Sequence, residues 1–401
     1  MVSSTIVAAT DLYQSTLQGS RICRDSAGIY HVVYAELTGA VYYIRHKSSP
    51  DEGATWSAVH TVFNNGASAL RDPSICVDGS DNLHVVYGKL DGGQLDCIYQ
   101  SSNDGGSTWS GETLLWDGSV LASSCYGHSI ILDTAGTIHV TTTYSQGGFY
   151  QVVHKNYPVG GPWSGEIVVN TDAAHQSEPN LAVKSDNTLI CVWTGNVGGI
   201  NQVRYATWTG GPAWSATTNL TATADHKQET TVAYDSNDVR WIAYRSLGGG
   251  AINRIYTLND GGLTNVSTPN DKNRYRPQIQ FDSNDNAHLL CMNASDTDSE
   301  YFLYTAGTNS WGGAVVIGNG AAWDQGLNVS GIYARYPASV GVPISGYSAT
   351  WTPAGASPQD LLYDGDATWP AGPGGGARHP AYRKPLHVTP LTGRRPFGPE
   401  Y

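Results

Sequence analysis

Charge is scarce in this 401-residue chain: Asp, Glu, Lys and Arg make up 14% of it, against roughly a quarter in most soluble domains. Met occurs twice and Phe five times. No stretch of about 18 apolar residues is present, which excludes a membrane-crossing helix. None of the six cysteines (Cys23, Cys76, Cys97, Cys125, Cys191 and Cys291) forms a CxxC pair, so the common zinc and thiol-redox spacings are missing. Cys23 and Cys76 fall at matching places in two repeats, which marks them as small buried apolar side chains rather than a disulfide framework. The opening MVSSTIVAATDLYQS has no basic segment followed by an apolar core and is not read as a secretory signal.

What the chain does hold is 47 Gly, 24 Tyr and 12 Trp. Turn formers beside aromatic and β-branched residues predict an all-β fold with many tight turns. One segment type recurs, an apolar strand, an Asp, a polar turn and a second apolar strand. Its copies are RICRDSAGIYHVVY (21–34), SICVDGSDNLHVVY (74–87), SIILDTAGTIHVTT (129–142), NLAVKSDNTLICVW (180–193), TVAYDSNDVRWIAY (231–244) and QIQFDSNDNAHLLC (278–291). Each copy has a partner downstream that ends on Trp: Trp56, Trp109, Trp163, Trp214, Trp311 and Trp369, with Asn265 standing in the fifth unit. A period of about 50 residues with period-two alternation inside it fits a four-stranded propeller blade, which cannot bury both faces alone. Counting the drifted last copy gives seven blades. The stretch 2–10 resembles the outer strands that follow each Trp, so residues 3–10 are expected to pair with the last blade and close the ring, removing a sheet edge.

Two decapeptides, SSPDEGATWS (48–57) and SSNDGGSTWS (101–110), share Ser-x-Asp-x-Gly-x-Thr-Trp. This pattern resembles the Asp-box, or BNR repeat, of the sialidase-like propellers, with matches at Asp51, Gly53 and Trp56 and at Asp104, Gly106 and Trp109. In that family the box lies on the blade periphery. These residues are therefore expected to brace a turn, with Asp and Ser holding amides and Gly taking a positive φ. The resemblance implies a seven-bladed architecture over about 370 residues, while in sequence it covers only the boxes.

Ligands of a propeller bind near its axis. Six positions before the repeat Asp stand Gly19, Asp72, Gly127, Glu178, Glu229 and Arg276, with Arg71, Tyr126, His128, Ser177, Gln228, Arg274 and Tyr275 beside them. The resemblance to sialidases implies a carboxylate-gripping arginine set (Arg71, Arg274, Arg276), a Tyr–Glu pair (Tyr275, Glu229) and an acid/base Asp72. The order of these residues does not reproduce the family set, and RIC at 21–23 is only an echo of its Arg-Ile-Pro. Glu178 adds a third carboxylate, and paired carboxylates suit glycoside chemistry. In related polysaccharide lyases a His128- or Tyr126-like base would take a proton while an Arg neutralises the uronate. A solvated, self-neutralising channel lining is the alternative. His31, His84, His139 and His288 share one repeat position with Ile190 and Trp241, so they are read as packing residues and not as metal ligands.

Net charge is −12, unevenly spread. Residues 371–401 carry five basic side chains and one acid, which leaves 17 basic and 33 acidic side chains, a net of −16, in residues 1–370. An acidic body argues against nucleic-acid binding. The tail holds six Pro and six Gly without periodicity, so it cannot fold alone. Its Arg378, Tyr382, Arg383, Arg394, Arg395, Phe397 and Tyr401 suit an extended arm docking on a neighbouring acidic subunit. The expected organisation is thus a propeller over 1–370 and an arm over 371–401. The leading functional expectation is a non-enzymatic extracellular or virion-surface protein, assembled through its arm and suited to glycan binding. The alternative is a glycan-active hydrolase or lyase at the channel rim. No cofactor is required, and the acidic rim permits Ca²⁺ without demanding it.

Overall fold

The computed structural model describes residues 20–319, apart from 52, 249–251, 260–261, 266–271, 282–283 and 294–297, and the backbone of Val2–Leu12, Tyr347–Trp351 and Gln359–Asp366. The chain divides into two compact units, Met1–Trp369 and Pro370–Tyr401. The arm residues Arg378, Tyr382, Arg383, Arg394, Arg395, Phe397 and Tyr401 lie outside the described residues.

The first unit is a β-propeller built of antiparallel sheets that follow one another along the chain. The first sheet comprises Ile22–Arg24, Tyr30–Thr38, Val41–Ser49 and His60–Asn64. The second comprises Leu70–Val77, Leu83–Asp91, Gln94–Ser102 and Thr113–Trp116, and the third Tyr126–Leu132, Ile138–Gln146, Phe149–Tyr157 and Ile167–Val168. The fourth comprises Gln176–Val183, Leu189–Val197, Ile200–Trp208 and Thr218–Asn219, and the fifth His226–Tyr234, Arg240–Leu247, Asn253–Asn259 and Gly262–Asn265. Arg274–Phe281, Ala287–Asn293, Asp298–Thr305 and Ser310–Trp311 form the sixth, with Val315–Asn319 pairing its third strand. Val2–Leu12 pairs with Gln359–Asp366, in register from Val2 opposite Gly365 to Thr10 opposite Gln359. Its last two residues, Asp11 and Leu12, pair with Leu37 and Glu36 of the first sheet. The N-terminal strand thus joins the last strands to the first, as its sequence led us to expect. Among the described residues the single helix is the turn Gly118–Leu121.

The recurrent HVVY follows from this stacking. Alternate residues of a strand point to opposite faces, and here both faces are covered. In the second sheet Val85 and Tyr87 pack toward the first sheet, with Val33 and Ile44. Val86 packs toward the third, with Ile130 and Val140. The same arrangement recurs between every later pair of sheets through the sixth. The core is therefore a series of slabs between neighbouring sheets, and each fully buried Val or Ile adds about 1.5–3 kcal/mol. All six cysteines are buried and unpaired within these slabs.

The two Ser-x-Asp-x-Gly-x-Thr-Trp turns have nearly identical geometry. Ser49 Oγ donates to Asp51 Oδ1 (2.8 Å) and accepts from the Gly53 amide (2.7 Å), while Asp51 accepts from the Thr55 amide and hydroxyl (2.7 and 2.6 Å). Ser102, Asp104, Gly106 and Thr108 repeat this at 2.8, 2.9, 2.9 and 2.6 Å. Gly53 and Gly106 take φ of 84° and 87°, where a Cβ is costly. The Trp109 indole N–H donates to the Gly106 carbonyl (3.1 Å). Hydrogen bonds from Thr108 and Ser102 hold the Asp104 carboxyl down at about 2. Both carboxylates are committed to these turns, which join the third strand to the outer one and so lie away from the axis.

The repeat histidines are more than packing residues. His31 Nδ1 meets His46 Nε2 and His139 Nδ1 meets His154 Nε2, both at 3.1 Å, while His84 and His288 meet the Tyr99 and Tyr301 hydroxyls at 2.8 Å. The other imidazole nitrogen of His31, His84 and His139 faces the repeat carboxylate, Asp25, Asp78 or Asp133, at 3.3–3.5 Å. Among the described residues no three His, Cys, Asp or Glu converge as metal ligands.

Candidate functional site at the axial face

The first strand of each sheet packs on the first strand of the next, so these strands line the axis. Those of sheets two to six carry the same irregularity. The ladder slips between Arg71 and Ser74, Tyr126 and Ser129, Ser177 and Asn180, Gln228 and Thr231, and Tyr275 and Gln278. One residue of each bulge takes a left-handed backbone: Asp72 (φ 49°), Gly127 (65°), Glu178 (58°), Glu229 (56°) and Arg276 (53°). These are the five described positions aligned six residues before the repeat Asp. A non-glycine residue there costs about 1–2 kcal/mol, and such strain persists only where its surroundings enforce it.

Side chains of the bulges enforce it across the sheet junctions. Glu178 Oε2 accepts the Glu229 amide (2.7 Å), and Glu229 Oε2 accepts the Arg276 amide (2.6 Å). A hydrogen bond to a charged group is worth about 1.5–3 kcal/mol, enough to offset the left-handed backbone. Glu178 also accepts from Thr194 Oγ1 (3.3 Å), and Glu229 Oε2 lies 3.3 Å from Arg245 Nε. Burial, and then the neighbouring Glu229, push the Glu178 carboxyl above its ordinary range. A raised carboxyl contributes stability at low pH that is lost as pH rises through its folded value. Glu178→Gln keeps an acceptor for the Glu229 amide and removes that ionisation. We expect the variant to gain on the wild type as pH rises from about 4 to about 8, read by urea unfolding; a pH-independent difference would refute this.

The remaining sequence candidates divide. Asp72 is buried, and it favours the protonated forms of Arg21 and His128. Burial pushes Arg21 down to about 10 against the pull of Asp72, and pushes His128 down to about 4. His128 is fully buried, without a hydrogen-bond partner for either nitrogen among the described residues, and a Cβ added at Gly88 would come within 3.2 Å of its Nε2. Burial also lowers Arg276, against Glu229 and Glu178. Arg71 and Tyr275 are half-buried. The Tyr275 hydroxyl accepts from Asn253 Nδ2 (2.7 Å), and Arg245 lies over its ring at 4.7 Å. Arg274 does not join the open face. It is wholly buried and paired with Glu300 (Nε–Oε2 2.6 Å) over the Phe302 ring, because its place in the strand turns it between the sheets.

Two groups escaped the sequence reading. Arg245 pairs across the ladder with Gln228, the residue before a bulge, just as Gly88, Thr143, Thr194 and Met292 pair with Arg71, Tyr126, Ser177 and Tyr275. All five stand ten residues after the repeat position, so the alignment held the signal. The second group comes from the hairpin Gln146–Phe149, which places Tyr150 at the same end as the bulges. Tyr126 and Tyr150 meet edge to face (6.2 Å), and exposed His175 lies 5.5 Å from both the Tyr150 and Phe149 rings. Half-buried aromatic rings at such a face can stack a sugar ring.

No protein-family model matches the chain, and no curated protein matches it in sequence. Similar solved structures exist. An ulvan lyase is 12% identical, with 90% of this chain and 95% of that one covered and a TM-score of 0.62. An intramolecular trans-sialidase from leech is 10% identical over 77% and 71% of the two chains (TM-score 0.52). An α-L-arabinanase from Penicillium chrysogenum is 11% identical over 79% and 99% (TM-score 0.50). At such identities the likeness is one of fold, and this chain is a β-propeller of the sialidase-like architecture.

Proposed function

We propose that this chain is a seven-bladed propeller with two Asp-boxes that recognises a polysaccharide at the axial face. Tyr126, Tyr150 and His175 supply the stacking surface, and Arg71 and Arg245 face the polar groups of the chain. The observation that carries this reading is the aromatic cluster itself, placed at the bulged end of the axis-lining strands. The similar structures named above act on glycans, which supports the substrate class and not a particular sugar.

Cleavage is the second reading, favoured by the same Tyr and His side chains. Glu178 and Glu229 do not serve as a hydrolytic pair in it, because their oxygens hold backbone amides. His128 does not serve as its base, because it is sealed from solvent. A β-elimination would instead use Tyr126 or His175 as base. The base takes the proton beside a uronate carboxylate, the electron pair forms the ring double bond, the glycosidic C–O bond breaks, and the leaving oxygen gains a proton.

Affinity electrophoresis through gels loaded with alginate, polygalacturonate, ulvan or arabinan tests recognition. We expect retardation by at least one of them, weakened about tenfold or more by Tyr150→Ala, since exposing the apolar area of one aromatic ring costs roughly 1.5–3 kcal/mol. Migration unchanged in all four gels, or unaffected by the substitution, would overturn the proposal. Ultraviolet absorbance of an unsaturated product distinguishes elimination from binding.

A further inference from the structure

The opposite end of the axis-lining strands carries a second set of ties between sheets. There a left-handed residue three positions after the repeat Asp accepts from a Ser or Thr of the preceding sheet. Asp81 accepts the Ser26 amide (2.8 Å), Asn187 that of Thr134 (2.8 Å), Asp238 that of Ser185 (3.0 Å) and Asp285 that of Ser236 (2.7 Å). Each of the four Ser or Thr hydroxyls donates to the same side chain. These ties join sheets one and two, three and four, four and five, and five and six. Among the five junctions between sheets one and six, that of sheets two and three has glycine at both positions, Gly79 and Gly136, and so has no such tie.

A cleft of about 560 Å³ opens at that junction, and Gly136 lines it. The volume lies within the range of small-ligand sites, roughly 300–1,000 Å³. Half-buried Trp109 and Tyr157 line it together with the amides of Asn82 and Asn103. At its floor the Asp78–His84–Tyr99 chain presents a fixed set of polar atoms, with His84 held between the Asp78 carboxylate (3.3 Å) and the Tyr99 hydroxyl (2.8 Å). The lining contains no Lys or Arg, and its one carboxylate is Asp78. That composition disfavours an anionic ligand and suits a neutral sugar, whose ring faces meet aromatic rings and whose hydroxyls meet amides.

We infer that the cleft between sheets two and three is a binding site for a neutral oligosaccharide, separate from the axial face and created where the tie is missing. Saturation-transfer NMR with cellotriose, mannotriose and xylotriose tests this, with trigalacturonate as the anionic comparison. With the axial face disabled by Tyr150→Ala, we expect millimolar binding of at least one neutral trisaccharide, weakened about tenfold or more when Tyr157→Ala is added. Because Tyr157→Ala also touches the core through Trp163, a second variant is needed. Gly79→Ser combined with Gly136→Asp installs the tie used at the other junctions, and should abolish binding while raising the unfolding midpoint. The inference fails if no neutral trisaccharide binds, if trigalacturonate binds more tightly, or if binding survives in both variants.

Discussion

Gly106→Ala is expected to lose about 2–5 kcal/mol of stability. Two costs add. At φ 87° a Cβ meets its own carbonyl, at about 1–2 kcal/mol. The new methyl would also overlap the His46 imidazole, which is buried against the Trp109 ring and hydrogen-bonded to His31. Forcing a packed core group aside adds roughly 1–3 kcal/mol. Gly105→Ala is the internal comparison. Its φ is 69° and no atom lies within 4 Å of the added carbon, so only the backbone cost applies. Urea midpoints of the two variants measure the difference. Equal destabilisation would mean that His46 moves freely, and that the buried His–His contact holds nothing in place.

Acid should unfold the protein steeply, beginning as pH falls below the ordinary histidine value of 6.5. Burial first, and then the partner imidazole, hold His46 and His154 well below that value, and burial holds His128 at about 4. A histidine whose folded value is depressed contributes stability above its unfolded value and loses it as pH falls. Each such group takes up one proton on unfolding, worth about 1.4 kcal/mol per pH unit. The three together give a slope near 4 kcal/mol per unit at about pH 5.5. The raised Glu178 opposes this and removes part of the slope. Unfolding free energies measured from about pH 8 to about pH 4.5 should therefore fall with an uptake of two to three protons; an uptake below one proton would contradict the burial of these imidazoles. His128→Met leaves an apolar side chain in the same pocket and should lower the uptake by one.

Much of this architecture was legible in the sequence because a propeller repeats itself. The Asp-anchored segments located the sheets, and the positions six residues before the repeat residue, read as the channel rim, are the left-handed residues of the described bulges. The two Thr-Trp turns were readable as braces because the Ser, Asp and Thr side chains of the motif find their hydrogen-bond partners within the turn. Residue types alone did not tell which rim side chains face solvent. Arg274 and Arg276 stand two apart in one strand, yet the bulge between Tyr275 and Gln278 changes what each meets, and Arg274 ends on Glu300. Glu178 and Glu229 looked like free carboxylates, since nothing in a linear chain reveals that an amide of the next sheet lies 2.6–2.7 Å away. The Tyr126–Tyr150–His175 cluster draws on two sheets and a hairpin, so only the folded chain assembles it.

The ties at the two ends of the axis run in opposite senses around it. At the bulged end Glu178 and Glu229 reach forward to the sheet that follows, and at the far end Asn187 and Asp238 reach back to the sheet before. The fourth and fifth sheets therefore each bring an acceptor for both neighbours and ask of them only backbone amides and one hydroxyl. A unit of this kind carries its own fasteners, so its exposed surface is free to diverge without unfastening the circle. Copying, losing or reordering units becomes a tolerable event in the history of such a chain.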